Sequence, residues 1–151
     1  MPRFAEQQRP VVPGVELGEQ LGAGAFGAVY RARHRTLEVD VAVKLLDVAG
    51  GDAGQIARAL QEARLMARLD HPNLLRIYDA GRVGAYIYLI LEIMDEACAQ
   101  RHRLPAAQML DWARQLLSGL QSLHDARILH RDIKPANCLW RERDGRVKLA
   151  D

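Results

Sequence analysis

The order of elements legible in the sequence predicts an α+β chain, and three observations carry that expectation. Apolar residues alternate through the first third of the chain around a glycine cluster. The period then changes to a helical one near Gln55, and a long amphipathic helix opens at Pro105 ahead of a short hairpin. At 151 residues one domain is expected, large enough to bury about 70% of the surface its unfolded chain exposes.

Residues 1–14 hold three prolines and no periodicity, and read as a flexible lead-in. Two strands follow, Glu16–Leu21 and Ala28–His34, joined through the glycines. A third runs over Glu38–Leu46, with Val39, Val41 and Val43 on one face and Lys44 on the other. Gly50–Gly54 reads as a linker. From Gln55 the spacing of Ile56, Leu60, Ala63 and Ala67 predicts a helix, with Glu62 one position off that stripe and DHPN (Asp70–Asn73) as its stop. Leu74–Tyr78 and Tyr86–Leu91 read as two further strands, and DEACAQRHR as a polar connector. The second helix runs from Pro105 to about His124, with Met109, Ala113, Leu116, Leu120 and Leu123 as its apolar stripe. Cys138–Trp140 and Arg146–Ala150 form short strands around the turn signal Arg143-Asp144-Gly145.

Composition excludes several classes of function. A net charge of +2 is too small to argue for nucleic acid or an anionic membrane, and neither is expected as a partner. No apolar run approaches the roughly 20 residues that span a bilayer. MPRFAEQQRP lacks the apolar core of a secretory signal, so a cytoplasmic location is expected. Cys98 and Cys138 have no metal-ligand spacing and no partner pattern, and read as reduced packing or surface thiols. Of 21 basic residues, 18 are arginine and three are lysine (Lys44, Lys134 and Lys148). In a chain so biased, the lysines are candidates for sites that need a compact ammonium.

Three motifs carry chemistry. GAGAFGAV, Gly22–Val29, contains G-x-G-x-x-G, but the chain continues as strand where a dinucleotide-binding fold would begin a helix. A glycine turn between antiparallel strands can lie over a polyphosphate and offer it backbone N–H groups. VAVK places Lys44 17 residues beyond Gly27, inside an apolar strand where an ammonium needs an anionic partner, and Glu62 lies 18 residues on. In HRDIKPANCL, Asp132, Lys134 and Asn137 can converge on one phosphoryl group from a single loop. Asp132 is placed to accept a hydroxyl proton, Lys134 to neutralise phosphate, and Asn137 to offer the hard oxygen that suits Mg²⁺.

From about Val15 to Asp151 the sequence resembles the Ser/Thr protein kinases. The resemblance implies a kinase-like fold with a complete small lobe, a five-stranded antiparallel sheet plus one helix (about 15–92). It further implies a hinge (about 92–96) and a truncated large lobe (97–151). By resemblance Gly22, Gly24 and Gly27 cover the ATP phosphates with Phe26 at the tip. Lys44 holds phosphates and pairs with Glu62, and Leu21, Val29, Ala42 and Leu139 wall the adenine. Leu91 is the gatekeeper, and the backbone of Glu92 and Met94 is the hinge. Asp132 matches the catalytic base, Lys134 points to Ser or Thr acceptors, and Asn137 with Asp151 match the metal ligands. Arg131 matches the arginine that reads an activation-loop phosphate. The implied partners are ATP, Mg²⁺ and a Ser/Thr-containing protein. Two departures stand out. MDEACAQRHRLP replaces the usual glycine-containing segment, leaving Asp95 or Glu96 for the ribose. VKLAD matches the strand into D-F-G, so the chain reads as an N-terminal catalytic portion, inactive alone and with an exposed stripe on its second helix. The alternative is a natural short nucleotide-binding or regulatory module without transferase activity.

Overall fold

The computed structural model describes residues 9–24, 27–101 and 103–150, so Phe26 and Asp151 lie outside the described residues. The chain forms two compact units, one of Met1–Arg68 with Ile77–Ile93, the other of Leu69–Arg76 with Met94–Asp151.

The first unit is a five-stranded antiparallel sheet in the order β1-β2-β3-β5-β4, with one helix. Its strands are β1 (Val15–Gly24), β2 (Gly27–His34), β3 (Val39–Asp47), β4 (Ile77–Val83) and β5 (Tyr86–Glu92). This is the sheet the resemblance implies. Alternation sorts each strand into two faces. On one face Ala28, Tyr30, Ala32, Val41, Val43, Leu45, Tyr88 and Ile90 form the core, with Val12 and Val15 packed into it from the start of the described chain. Each large apolar side chain so buried stabilises by about 1.5–3 kcal/mol. Val29, Ala42, Lys44 and Leu91 fall on the other face.

The helix α1 (Ala53–Met66) begins inside the segment expected as a linker. Asp52 caps it, its Oδ2 accepting from the Gly54 and Gln55 N–H groups at 3.0 and 3.2 Å. Ile56 is its buried residue, while Leu60 and Ala63 are half-buried and Glu62 is exposed. The strand expected over Leu74–Tyr78 starts instead at Ile77, because residues 69–76 leave this unit for the second one.

In the second unit the helix α2 (Ala106–Asp125) packs on a three-stranded sheet of order β6-β7-β8, made of β6 (Glu96–Ala97), β7 (Cys138–Arg141) and β8 (Arg146–Leu149). β6 lies in the segment expected as a polar connector. The hairpin β7–β8 turns through Gly145 at φ 64°, where glycine is favoured, as the Arg143-Asp144-Gly145 signal predicts. The buried face of α2 runs through Trp112, Gly119 and Leu123, with Leu116 beside it. The expected stripe divides along its length, with Leu123 buried, Leu116 and Leu120 half-buried, and its first two residues turned outward. Met109 is 57% exposed, Ala113 is exposed too, and Leu110 and Leu117 join them on an apolar outer face. Trp112 stacks obliquely on Trp140 of β7, with ring centres 6.1 Å apart.

Residues 69–76 close the outer edge of β8. The Leu149 N–H donates to the Asn73 carbonyl at 2.9 Å, and the Leu75 N–H donates to the Leu149 carbonyl at 2.8 Å. The Val147 N–H donates to Gln115 Oε1 at 2.9 Å, and Asn73 Nδ2 donates to the Val147 carbonyl at 2.9 Å. Asn73 Nδ2 also donates to Gln115 Oε1 at 2.9 Å. An edge strand with unmet backbone groups is thereby satisfied by one loop and one helix side chain. Gly119 permits the approach, since a Cβ there would lie 2.6 Å from the Asn73 carbonyl oxygen.

Candidate active site

The segment His130–Asn137 crosses from the end of α2 to β7 and has no regular structure until a 3₁₀ turn at Pro135–Asn137. Its proline fixes the entry to that turn. Asn137 is buried, and its Nδ2 donates to both the carbonyl and the Oδ2 of Asp132 at 2.9 Å. Lys134 Nζ donates to the same Oδ2 at 2.7 Å. The three residues expected to converge therefore meet on one carboxylate oxygen. Asp132 is held below the ordinary carboxylate range, chiefly by the Lys134 hydrogen bond; burial is the next-largest effect and opposes it, while the Asn137 hydrogen bond adds to the lowering. It is an exposed anion at neutral pH.

Backbone contacts tie this loop to the end of β8. The Ala150 N–H donates to the Asn137 carbonyl at 2.8 Å, and the Asn137 N–H donates to the Lys134 carbonyl at 2.9 Å. His130 Nε2 lies 3.1 Å from the Ala150 carbonyl. Arg131, between them, has φ 65°, a left-handed conformation rare for a residue with a Cβ and costing of order 1 kcal/mol or more. The loop conformation is thus fixed by its surroundings against a local preference.

In the first unit, pairing runs down to the tip of the glycine hairpin, with Gly22 opposite Val29 and Gly24 opposite Gly27. No helix follows the glycines; β2 continues from Gly27. A Cβ at Gly27 would come within 1.9 Å of the Leu45 carbonyl oxygen, whereas one at Gly22 or Gly24 would meet nothing within 4 Å. Gly27 is demanded by the sheet, and the other two leave open space above it. Leu21 is exposed beside them. Cross-strand register places Val29 opposite Lys44, Lys44 opposite Leu89, and Ala42 opposite Leu91, so an apolar patch with one ammonium lies along this face. Val41 is opposite Glu92 at the end of β5. Ion pairs among the described residues of this unit join Arg31 to Glu19 and Asp40, and Arg33 to Asp40. In the second unit Met94 is half-buried, and Leu139 is half-buried opposite Lys148.

A family model described as the protein kinase domain matches residues 15–151. The chain belongs to that family. Its kinase relatives include CBL-interacting protein kinase 4 of Oryza sativa subsp. japonica, 37% identical over 94% of this chain and 33% of the relative. Serine/threonine-protein kinase ATG1c of Arabidopsis thaliana is 34% identical over 93% of this chain and 20% of its own length. Serine/threonine-protein kinase ATG1a of the same plant is 36% identical over 82% of this chain and 20% of its own. The chain thus spans a third or less of these curated kinases.

Against that family, the two acids left for the ribose are engaged elsewhere. Asp95 Oδ2 accepts from the Glu142 N–H at 2.7 Å, and Glu96 binds Arg101, whose guanidinium lies 4.2 Å from the Trp140 ring centre. Sequence reasoning missed the residues that hold the kinase loop in place. Asn73, Gln115 and His130 are polar residues without periodicity, and only the histidine had a motif as a signal. Among the described residues no helix is long and apolar enough to cross a membrane, and no three His, Cys, Asp or Glu residues cluster as a metal site. The metal pair expected from sequence is of another kind, an amide oxygen with the carboxylate of Asp151, which lies outside the described residues.

Proposed function

We propose that this chain carries the nucleotide-binding and phosphoryl-transfer residues of a Ser/Thr protein kinase, divided into a small lobe over about 15–92, a hinge and part of a large lobe. The observation that carries the reading is the Asp132–Lys134–Asn137 cluster. An exposed aspartate–lysine pair contributes little to stability, so its geometry is best explained by chemistry.

The residues fit a phosphoryl substrate and a hard cation. Asn137 spends both amide hydrogens on Asp132, which leaves its amide oxygen as the ligand atom, with Asp151 as the second. Mg²⁺, when bound with ATP, neutralises charge on the transferring phosphates. Asp132 orients the acceptor hydroxyl and takes its proton. With its affinity for protons lowered, it is a weak base, and orientation is its larger contribution. Lys134 supplies positive charge beside that oxygen and favours a Ser or Thr acceptor. Lys44, paired with Glu62 in the nucleotide-bound form, holds phosphates. Gly22 and Gly24 present backbone N–H groups, with Gly27 and Phe26 completing the loop, and Leu21, Val29, Ala42 and Leu139 enclose the base. The backbone of Glu92 and Met94 bonds its edge.

Calorimetry with ATP and Mg²⁺ tests the reading. The chain should bind nucleotide, and Lys44→Met should weaken binding about tenfold, or about 1.4 kcal/mol. Asp132→Asn should leave affinity near that of the unaltered chain. No binding at millimolar ATP by a folded chain sinks the proposal. Labelled-phosphate transfer to a generic protein should be negligible; robust transfer, lost in Asp132→Asn, would show that the chain is active alone.

A further inference from the structure

We propose that Cys98 and Cys138 form a dithiol–disulfide switch that clips the segment after β6 to the residue beside Asn137. The two thiols are 40 positions apart in sequence, and both are free. The β6–β7 register brings them together. Glu96 is opposite Trp140 and Ala97 opposite Leu139, so the same register carried one residue further sets Cys98 against Cys138. Directly opposed residues of antiparallel strands have Cα atoms about 4.5–5.5 Å apart, inside the roughly 4.4–6.8 Å range of disulfides. A 3₁₀ turn at Cys98–Gln100 begins there, so this end of the ladder is free to adjust.

The environments of the two sulfurs differ. Cys98 is half-buried and reachable from solvent, while Cys138 is buried, its Sγ donating to the Lys134 carbonyl at 3.4 Å. Burial pushes the Cys98 thiol up to about 12. Cys98 therefore rests as a thiol at neutral pH, and exchange through its thiolate is correspondingly slow.

With a small-molecule disulfide such as oxidised glutathione as oxidant, the chemistry runs in two exchanges. Cys98 loses its proton and attacks one sulfur, forming a mixed disulfide and expelling one glutathione thiolate, which takes up that proton. Cys138 then loses its proton and attacks the Cys98 sulfur, breaking the mixed disulfide and releasing the second glutathione as its thiol. Two protein thiols are oxidised and one glutathione disulfide is reduced to two thiols. The product has no Cys138 S–H, so the Lys134 carbonyl keeps only the donor from the Asn137 N–H. Oxidation thereby acts on the loop that carries Asp132 and Asn137.

Mass spectrometry of the intact chain under oxidised glutathione tests this without recourse to nucleotide binding. The expected product is a monomer lighter by two hydrogens, yielding a peptide pair joined through Cys98 and Cys138. Its rate should rise about tenfold per pH unit from pH 7 to 9, following the thiolate fraction. Cys138→Ser should stop at the glutathione adduct on Cys98. A persistent adduct on Cys98 in the unaltered chain, with Cys138 still open to alkylation after unfolding, overturns the proposal. So does a product made of disulfide-linked dimers. Both readouts use the unaltered chain, so a variant that fails to fold does not remove the test.

Discussion

Replacing Asn73 by alanine isolates the contacts that hold β8. Asn73 is 5% exposed, and its Nδ2 donates at 2.9 Å to Gln115 Oε1 and at 2.9 Å to the Val147 carbonyl. Each intramolecular hydrogen bond contributes about 0.5–1.5 kcal/mol net, so losing two removes about 1–3 kcal/mol. The two acceptors do not suffer equally. Gln115 Oε1 keeps the Val147 N–H, at 2.9 Å, but the fully buried Val147 carbonyl loses this donor, which costs about 1–3 kcal/mol where water cannot reach. The terms overlap, so a total near 2–4 kcal/mol is expected from urea unfolding followed by tryptophan fluorescence. Asn73→Asp should be worse, because a carboxylate would face two oxygen acceptors and offer neither a hydrogen. Amide exchange at Val147 and Leu149 should quicken in both variants. A loss below about 0.5 kcal/mol, with exchange at Val147 unchanged, would refute the claim that this side chain closes the β8 edge.

Gly27→Ala, with its Cβ forced to 1.9 Å from the Leu45 carbonyl oxygen, should lower Tm by several degrees, whereas Gly22→Ala, with nothing within 4 Å, should melt near the unaltered protein. Equal melting temperatures for the two would contradict the close approach of β3. Gly119→Ala places a methyl 2.6 Å from the Asn73 carbonyl oxygen, and about 1–3 kcal/mol should be lost in urea despite the better helix propensity of alanine. A gain in stability there would mean that residues 69–76 do not touch α2. Asp144 is held below the ordinary carboxylate range chiefly by the Arg141 hydrogen bond. A carboxyl depressed on folding adds stability above its unfolded value and loses it as pH falls through the folded one. The stability gap between the unaltered chain and Asp144→Asn should therefore close below about pH 4, and a gap constant from pH 7 to 2 would count against the pair.

The sequence made the strands and the Asp132–Asn137 loop legible because each has a local signal. Val41 and Val43 alternate with Ala42 and Lys44 in a pleat that needs no distant information, and the β2–β3 register preserves that sorting. Asp132, Lys134 and Asn137 lie within six residues, so a loop of almost any shape keeps them near one another. Long-range polar contacts carry no such period. Asn73 meets Gln115 across 42 positions, and DHPN reads locally as a helix stop and nothing more. The buried face of α2 was legible only in part for a related reason. Glycine counts against a helix in any propensity scale, yet Gly119 marks the buried face because a backbone crosses there. The cysteines were separated by the same blindness, since β6 is two residues long and too short to show a pattern.

The polar residues of the second unit divide into two kinds, and the division bears on how a loss of function should be read. Asp132 and Lys134 are about half exposed and their pair contributes little to folding, so removing Lys134 should alter chemistry with little effect on stability. Asn73 and Gln115 touch no reacting group, yet they fix the strand that leads into Ala150, whose carbonyl and N–H meet His130 and Asn137. Their loss should reach the loop through β8, lowering stability and loop order together. Asn137 belongs to both kinds. It is buried and it closes the 3₁₀ turn, and in the proposed function its oxygen is a cation ligand. Asn137→Ala should therefore lose both stability and any Mg²⁺-dependent nucleotide affinity. Asn137→Asp, which keeps an oxygen ligand, cannot donate to Asp132 and sets two carboxylates together, so it should keep metal affinity only at a cost in loop order. Measuring affinity and amide exchange on the same samples separates the two roles, because a purely structural Asn137 would lose them in fixed proportion across both variants.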